Sequence, residues 1–145
     1  MRHLPLLALA TAIACPASAM PPPLPEVADA SMAALQRDVA AGLGSSEAVA
    51  SAYIVRGKAL ESKVNAIIAM NPAALSDARA ADQARRAGDR RPLLGAAIVV
   101  KDNIETADAG LATTAGSLAL AGNVTGRDAP ITSVSGRGLT ATRSR

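Results

Sequence analysis

The 145-residue chain has no tryptophan, no phenylalanine and a single tyrosine, Tyr53. Proteins that bind single-stranded nucleic acid by base stacking need aromatic platforms, and here one side chain at most can serve. Cys15 and His3 are the lone residues of their types. A single cysteine excludes a disulfide scaffold. Half of the residues are hydrophobic, which excludes a disordered polyampholyte, but 35 of them are alanine. Alanine buries little area, and large side chains dominate core energetics, so the chain is apolar without the means for a dense core of its own.

Residues 1–19 have the pattern of a secretory signal peptide. Arg2 and His3 form a positive start, Leu4 to Cys15 an apolar stretch, and Ala17-Ser18-Ala19 a small-x-small cleavage site before Met20. The apolar stretch is too short for a bilayer, which needs about 20 apolar residues. Pro5 and Pro16 disfavour a buried N-terminal helix, and Pro16 directly after Cys15 disfavours acylation. Cleavage removes both Cys15 and His3. The mature chain is then left without thiol chemistry, a histidine-based triad or a His/Cys zinc site. No metal or other cofactor is expected. The predicted location is the periplasm or the exterior, with no stable membrane anchor after cleavage.

Four prolines within 20–25 predict an extended leader. Asp29 or Ser31 can cap a first helix, on which Met32, Leu35, Val39 and Leu43 recur at spacings of three and four. Gly42 and Gly44 end it. Ser45 or Ser46 caps a second helix, with Glu47 in its first turn and Val49, Tyr53, Leu60 and Val64 along one face. The run 65–70 predicts a short buried strand. Asn71-Pro72 starts a third helix that reaches about Ala87. The run 94–100 is the strongest strand signal, continuous enough to predict burial on both faces. Helix, helix, strand, helix, strand predicts an α/β sheet with helical cover. Residues 131–145 have no apolar periodicity and no acid, and hold three of the twelve arginines. They are expected to be a disordered tail.

Arg85, Arg86, Arg90 and Arg91 form the densest basic cluster. Phosphate contact is one reading. The interleaved Asp82 and Asp89 favour the other, a solvated helix end. Gly42-Leu43-Gly44 follows a helix and lacks the third glycine of a dinucleotide fingerprint. Asn123-Val124-Thr125 is a glycosylation sequon, relevant only in a eukaryotic secretory pathway. Lys101 is the informative residue. It ends an apolar strand beside Asp102 and Asn103, where an ammonium is costly to desolvate. An ion pair with Asp102, or an exposed strand end, is the structural reading. A catalytic base of lowered pKa is the functional one.

The stretch Leu93-Leu94-Gly95-Ala96-Ala97-Ile98-Val99-Val100-Lys101-Asp102-Asn103-Ile104 resembles the strand-to-lysine segment of amidase-signature hydrolases. Thr113-Thr114-Ala115-Gly116-Ser117-Leu118-Ala119-Leu120 resembles the segment that follows it in that family. The resemblance covers roughly residues 27–130 and is greatest to secreted bacterial peptide amidases. It implies the N-terminal helices and first strands of the family's mixed sheet, hence an incomplete α/β fold. It also implies hydrolysis of a carboxylic amide, such as a C-terminal peptide amide, by a Ser–Ser–Lys triad with Lys101 as the catalytic lysine. The substrate partner would be a small amide or peptide amide, and no nucleic acid is implied.

The family's Gly/Ser-rich stretch, which carries the nucleophile and the bridging serine, is not among these residues. Ser117 matches a family serine that is neither, and Ser133 and Ser135 match nothing. Ala97 stands where the family usually has proline, and Leu94 where it often has histidine. The loss of resemblance near residue 130 predicts a truncated or frame-shifted amidase, inactive as it stands. Two rivals remain at this point: a small secreted helical binding module, and a basic nucleic-acid binder. The pI near 9.6 gives the latter little support. Arg2 and three tail arginines supply four basic groups, so residues 20–130 hold 11 against all 12 acids.

Overall fold

The computed structural model describes residues 26–107, 110–133 and 140–144. The expected signal peptide and proline leader lie outside the described residues. Helix α1 spans Met32–Ala40, and the Ser31 hydroxyl accepts from the Ala34 N–H (3.1 Å), as the capping pattern predicts. Helix α2 spans Ser46–Val64, capped in the same way by Ser45 on Ala48 (3.0 Å). It ends at Asn65, in the left-handed conformation that asparagine tolerates. Leu35 and Val39 of α1 pack with Val27, Val49 and Ala52, and Tyr53 lies against this cluster. Met32 and Leu43, on the predicted stripe of α1, stay exposed.

Strand β1 is short, Ile67–Ala69. Helix α3 spans Ala74–Arg86 and starts later than Asn71-Pro72 suggests. Asn71 accepts from the Ala73 N–H (2.8 Å), so it closes the turn before the helix instead of capping it. Its amide also donates to Asp77 (3.1 Å). Ala74, Ala78 and Ala81 are buried on one stripe of α3, and α3 packs along α2. Small side chains at that spacing let two helices approach closely, which is where the alanine-rich composition is used.

Strand β2 spans Ala97–Lys101. A third strand, β3 (Thr140–Ser144), lies between β1 and β2. It is parallel to β2, with Ala97 level with Thr140 and Lys101 level with Ser144, and antiparallel to β1. This corrects the expectation of a disordered tail from residue 131. Residues Pro130–Ser133 form a helical turn, α4, and the last described residues form the central strand. A strand satisfies its backbone groups through its neighbours and needs no amphipathic pattern of its own. Ser135 lies outside the described residues.

The predicted two-sided burial of β2 is also corrected. Val100 is buried, whereas Val99 is 63% exposed. Two glycines lie in the packing around β2. Gly57, inside α2, leaves room for the ends of Ile67 and Met70, which a Cβ would meet at 3.2 Å. Gly95 leads into β2 with φ +72°, and a Cβ there would overlap the side chain of Ser46. Only glycine combines that backbone with that contact.

Candidate active site

Lys101 is the last residue of β2 and its side chain is exposed. No ion pair of Lys101 is present among the described residues. Asp102 is the opposite case, with 3% exposure. Successive side chains of an extended strand point to opposite faces, so the two neighbours at the strand end diverge. Of the two structural readings of Lys101, the exposed strand end is the observed one.

The carboxylate of Asp102 is used by the second motif. The Thr114 N–H donates to Oδ1 (3.2 Å), the Thr114 hydroxyl donates to Oδ2, and the Gly116 N–H reaches Oδ2 at 3.4 Å. The Ala115 N–H donates to the Asp102 carbonyl (3.2 Å). Ala115 and Gly116 both have positive φ, 49° and 77°. The backbone around Lys101 is held as well. Its carbonyl accepts from the Ile104 N–H (3.0 Å), and the Asp102 N–H donates to the Ser144 carbonyl (3.0 Å). Tertiary structure therefore brings together the two segments on which the family resemblance rests. The link is Asp102, the residue whose place in the sequence suggests a counter-ion for Lys101.

Within the second motif, Thr113 is buried and exchanges bonds with Asn123. Its N–H donates to the Asn123 carbonyl (2.9 Å) and its carbonyl accepts from Asn123 Nδ2 (3.0 Å). Ser117 is exposed and precedes a single 3-10 turn, Leu118–Leu120. The excursion closes at its base, where Arg127 pairs with Glu105 (2.8 Å) and the Ala129 N–H donates to the Glu105 carbonyl (3.0 Å).

Two of the four arginines of the basic cluster are ion-paired. Arg85 pairs with Asp82 (3.0 Å), and Arg91 pairs with Asp89 (2.7 Å). The Arg91 side chain, and then its backbone N–H, hold the Asp89 carboxyl below its ordinary value. Arg90 donates to the carbonyl of Arg85 (2.8 Å). Asp82 and Arg85 also do something that no local pattern suggests. Ser46 and Glu47, at the start of α2, donate their N–H groups to the Asp82 carboxylate (2.8 and 3.1 Å). Arg85 in turn donates to Ser46 Oγ (3.1 Å) and to the Leu94 carbonyl (2.6 Å). This network ties α2, α3 and the approach to β2 together. A cleft of about 480 Å³ lies beside it, lined by Arg85, Arg86, Asp89 and Arg90 among others. A second cleft, of about 360 Å³ and mostly apolar, lies between α2 and the sheet. Neither is lined by Lys101. Among the described residues, no group of three or more His, Cys, Asp or Glu could hold a metal ion, and no helix is long and apolar enough to cross a membrane.

Residues 48–134 match the family model of the amidases. The peptide amidase of Stenotrophomonas maltophilia is similar with a TM-score of 0.74 and 36% identity, over 85% of this chain and 26% of that one. An amidase family protein from Bacillus anthracis str. Ames gives a TM-score of 0.72 and 30% identity, over 83% of this chain and 25% of that one. A glutamyl-tRNA(Gln) amidotransferase subunit from Psychrobacter cryohalolentis is 42% identical over 80 residues, 54% of this chain and 16% of that protein. The chain spans less than a fifth of the length of the curated relatives it matches.

Proposed function

The chain belongs to the amidase family, and from that premise we propose that it carries the lysine segment of an amide hydrolase with a Ser–Ser–Lys triad, in which Lys101 is the base. The observation that carries this reading is the family match over residues 48–134, within which Lys101 closes β2 and the neighbouring Asp102 carboxylate is engaged by Thr114 and Gly116.

In the proposed reaction, Lys101 Nζ takes a proton from a bridging serine, which takes one from the nucleophilic serine. That oxygen attacks the amide carbon. The tetrahedral intermediate then expels the amine, which leaves with a proton returned along the same path, and water cleaves the acyl-enzyme. Backbone N–H groups stabilise the oxyanion. In the family both serines belong to a Gly/Ser-rich stretch that is not among these 145 residues, and the proposed turnover depends on it. The proposed substrate class is a carboxylic amide. A C-terminal peptide amide is favoured, because of the similarity to the S. maltophilia peptide amidase. Export through a signal at 1–19, to the periplasm or beyond, completes the proposal.

A chimera tests it. Residues 48–134 replace the matching segment of the S. maltophilia enzyme, and release of ammonia from a peptide amide is followed. The chimera should turn over, and its Lys101→Ala form should lose at least about 10³-fold in kcat, as expected for a lost general base. Equal activity with and without Lys101 would remove it from the mechanism.

A further inference from the structure

Three successive backbone N–H groups, those of Thr114, Ala115 and Gly116, converge on one residue, Asp102. Ala115 and Gly116, both with positive φ, form a tight turn closed by the Ser117 N–H on the Thr114 carbonyl (2.9 Å), and this turn presents the three amides to Asp102. Such a hollow of amides attracts an anion. Here the anion is supplied from within the chain. The Asp102 carboxylate is buried and receives the Thr114 N–H and hydroxyl, and it shares the Gly116 N–H (3.4 Å) with Thr114 Oγ1 (3.2 Å). A carboxylate suits this position because everything directed at it in these contacts is a donor. An asparagine would lose the charge, and its NH₂ group could not accept from the Thr114 or Gly116 N–H that it would face.

The clamp bears on one place. Asp102 follows Lys101 directly, and its N–H and C=O are both engaged, by Ser144 and Ala115 respectively. The residue after Lys101 is thus held at its N–H, its C=O and its side chain. We propose that Asp102 is a positioning residue for Lys101: by filling the amide hollow of the 114–116 turn, it fixes the backbone from which the Lys101 side chain projects. The inference rests on the proposed role of Lys101, but its test uses no turnover, so the two readings can fail separately.

The full 145-residue chain holds three lysines, Lys58, Lys63 and Lys101. Reductive methylation with ¹³C-formaldehyde gives each a resolvable NMR signal, and the two lysines of α2 act as internal controls. Asp102→Asn should speed amide exchange at Thr114 and Gly116 by about tenfold or more, as a lost charge-assisted bond requires. It should also shift or broaden the Lys101 signal while Lys58 and Lys63 stay in place. Thr114→Val removes one donor, keeps the carboxylate and its charge, and should move the Lys101 signal in the same way by less. That second variant decides the matter if Asp102→Asn fails to fold. A Lys101 signal unmoved by the loosened turn would overturn the positioning role. Unchanged exchange at Thr114 and Gly116 would overturn the clamp itself.

Discussion

Replacement of Asp82 by alanine should be among the most damaging single changes in this chain. The wild-type carboxylate does two jobs at once. It accepts the N–H groups of Ser46 and Glu47 at the start of α2, which the Ser45 side chain does not serve. It also neutralises Arg85, with side-chain exposures of 9% for the aspartate and 15% for the arginine. Loss of a helix cap costs about 1 kcal/mol. Stranding one partner of a buried pair costs about 3–5 kcal/mol, and this second cost, the greater of the two, sets the expectation. Small domains are stable by only about 5–15 kcal/mol in total, so a large share of the stability is at stake. Urea unfolding of the 145-residue chain, followed by far-ultraviolet circular dichroism, should show a lower midpoint with an unchanged slope. Arg85→Met added to Asp82→Ala removes the stranded charge and should restore part of the loss. A cost below about 1 kcal/mol for Asp82→Ala, or strict additivity with Arg85→Met, would refute the reasoning.

Gly95→Ala should destabilise by about 3 kcal/mol or more in thermal melts, since it combines a left-handed backbone with an overlap on Ser46. Gly57→Ala should be nearly neutral in the same melts. Its Cβ meets only the flexible ends of Ile67 and Met70, and alanine is favoured over glycine inside a helix by about 1 kcal/mol. The Asp89 carboxyl should titrate below its ordinary 3.8, and Arg91→Ala should raise it part of the way back, since the backbone N–H of residue 91 and the charge of Arg85 still hold it down, as read by NMR. Because the folded value is the lower one, this pair's contribution is complete above the ordinary range and lost as the pH falls through the folded value.

The local elements are legible because their signals are local. Ser31 and Ser45 cap α1 and α2 from three residues away, and the continuous run before Lys101 marks β2. The order of the first five elements follows from caps, periods and breakers. The candidate site is half legible. Lys101 stands out as a charged residue closing an apolar strand, whereas the adjacency of Asp102 suggests a counter-ion. Side-chain alternation along an extended strand already argues that the two diverge. The partners that Asp102 does take, twelve to fourteen residues away, leave no mark on the chain near it.

The caps, the helices, the strand before Lys101 and the amidase-like motifs are all determined by the sequence itself, because each depends on residues within a few positions of one another. Tertiary structure alone decides that Thr140–Ser144 is the central strand of the described sheet, that Asp82 and Arg85 tie α2 to the approach to β2, and that Asp102 holds the 114–116 turn. All of these are pairings across long loops. A donor in one segment and an acceptor in another become partners only when register and chain path bring them within bonding distance, and no local pattern of residue types encodes that encounter.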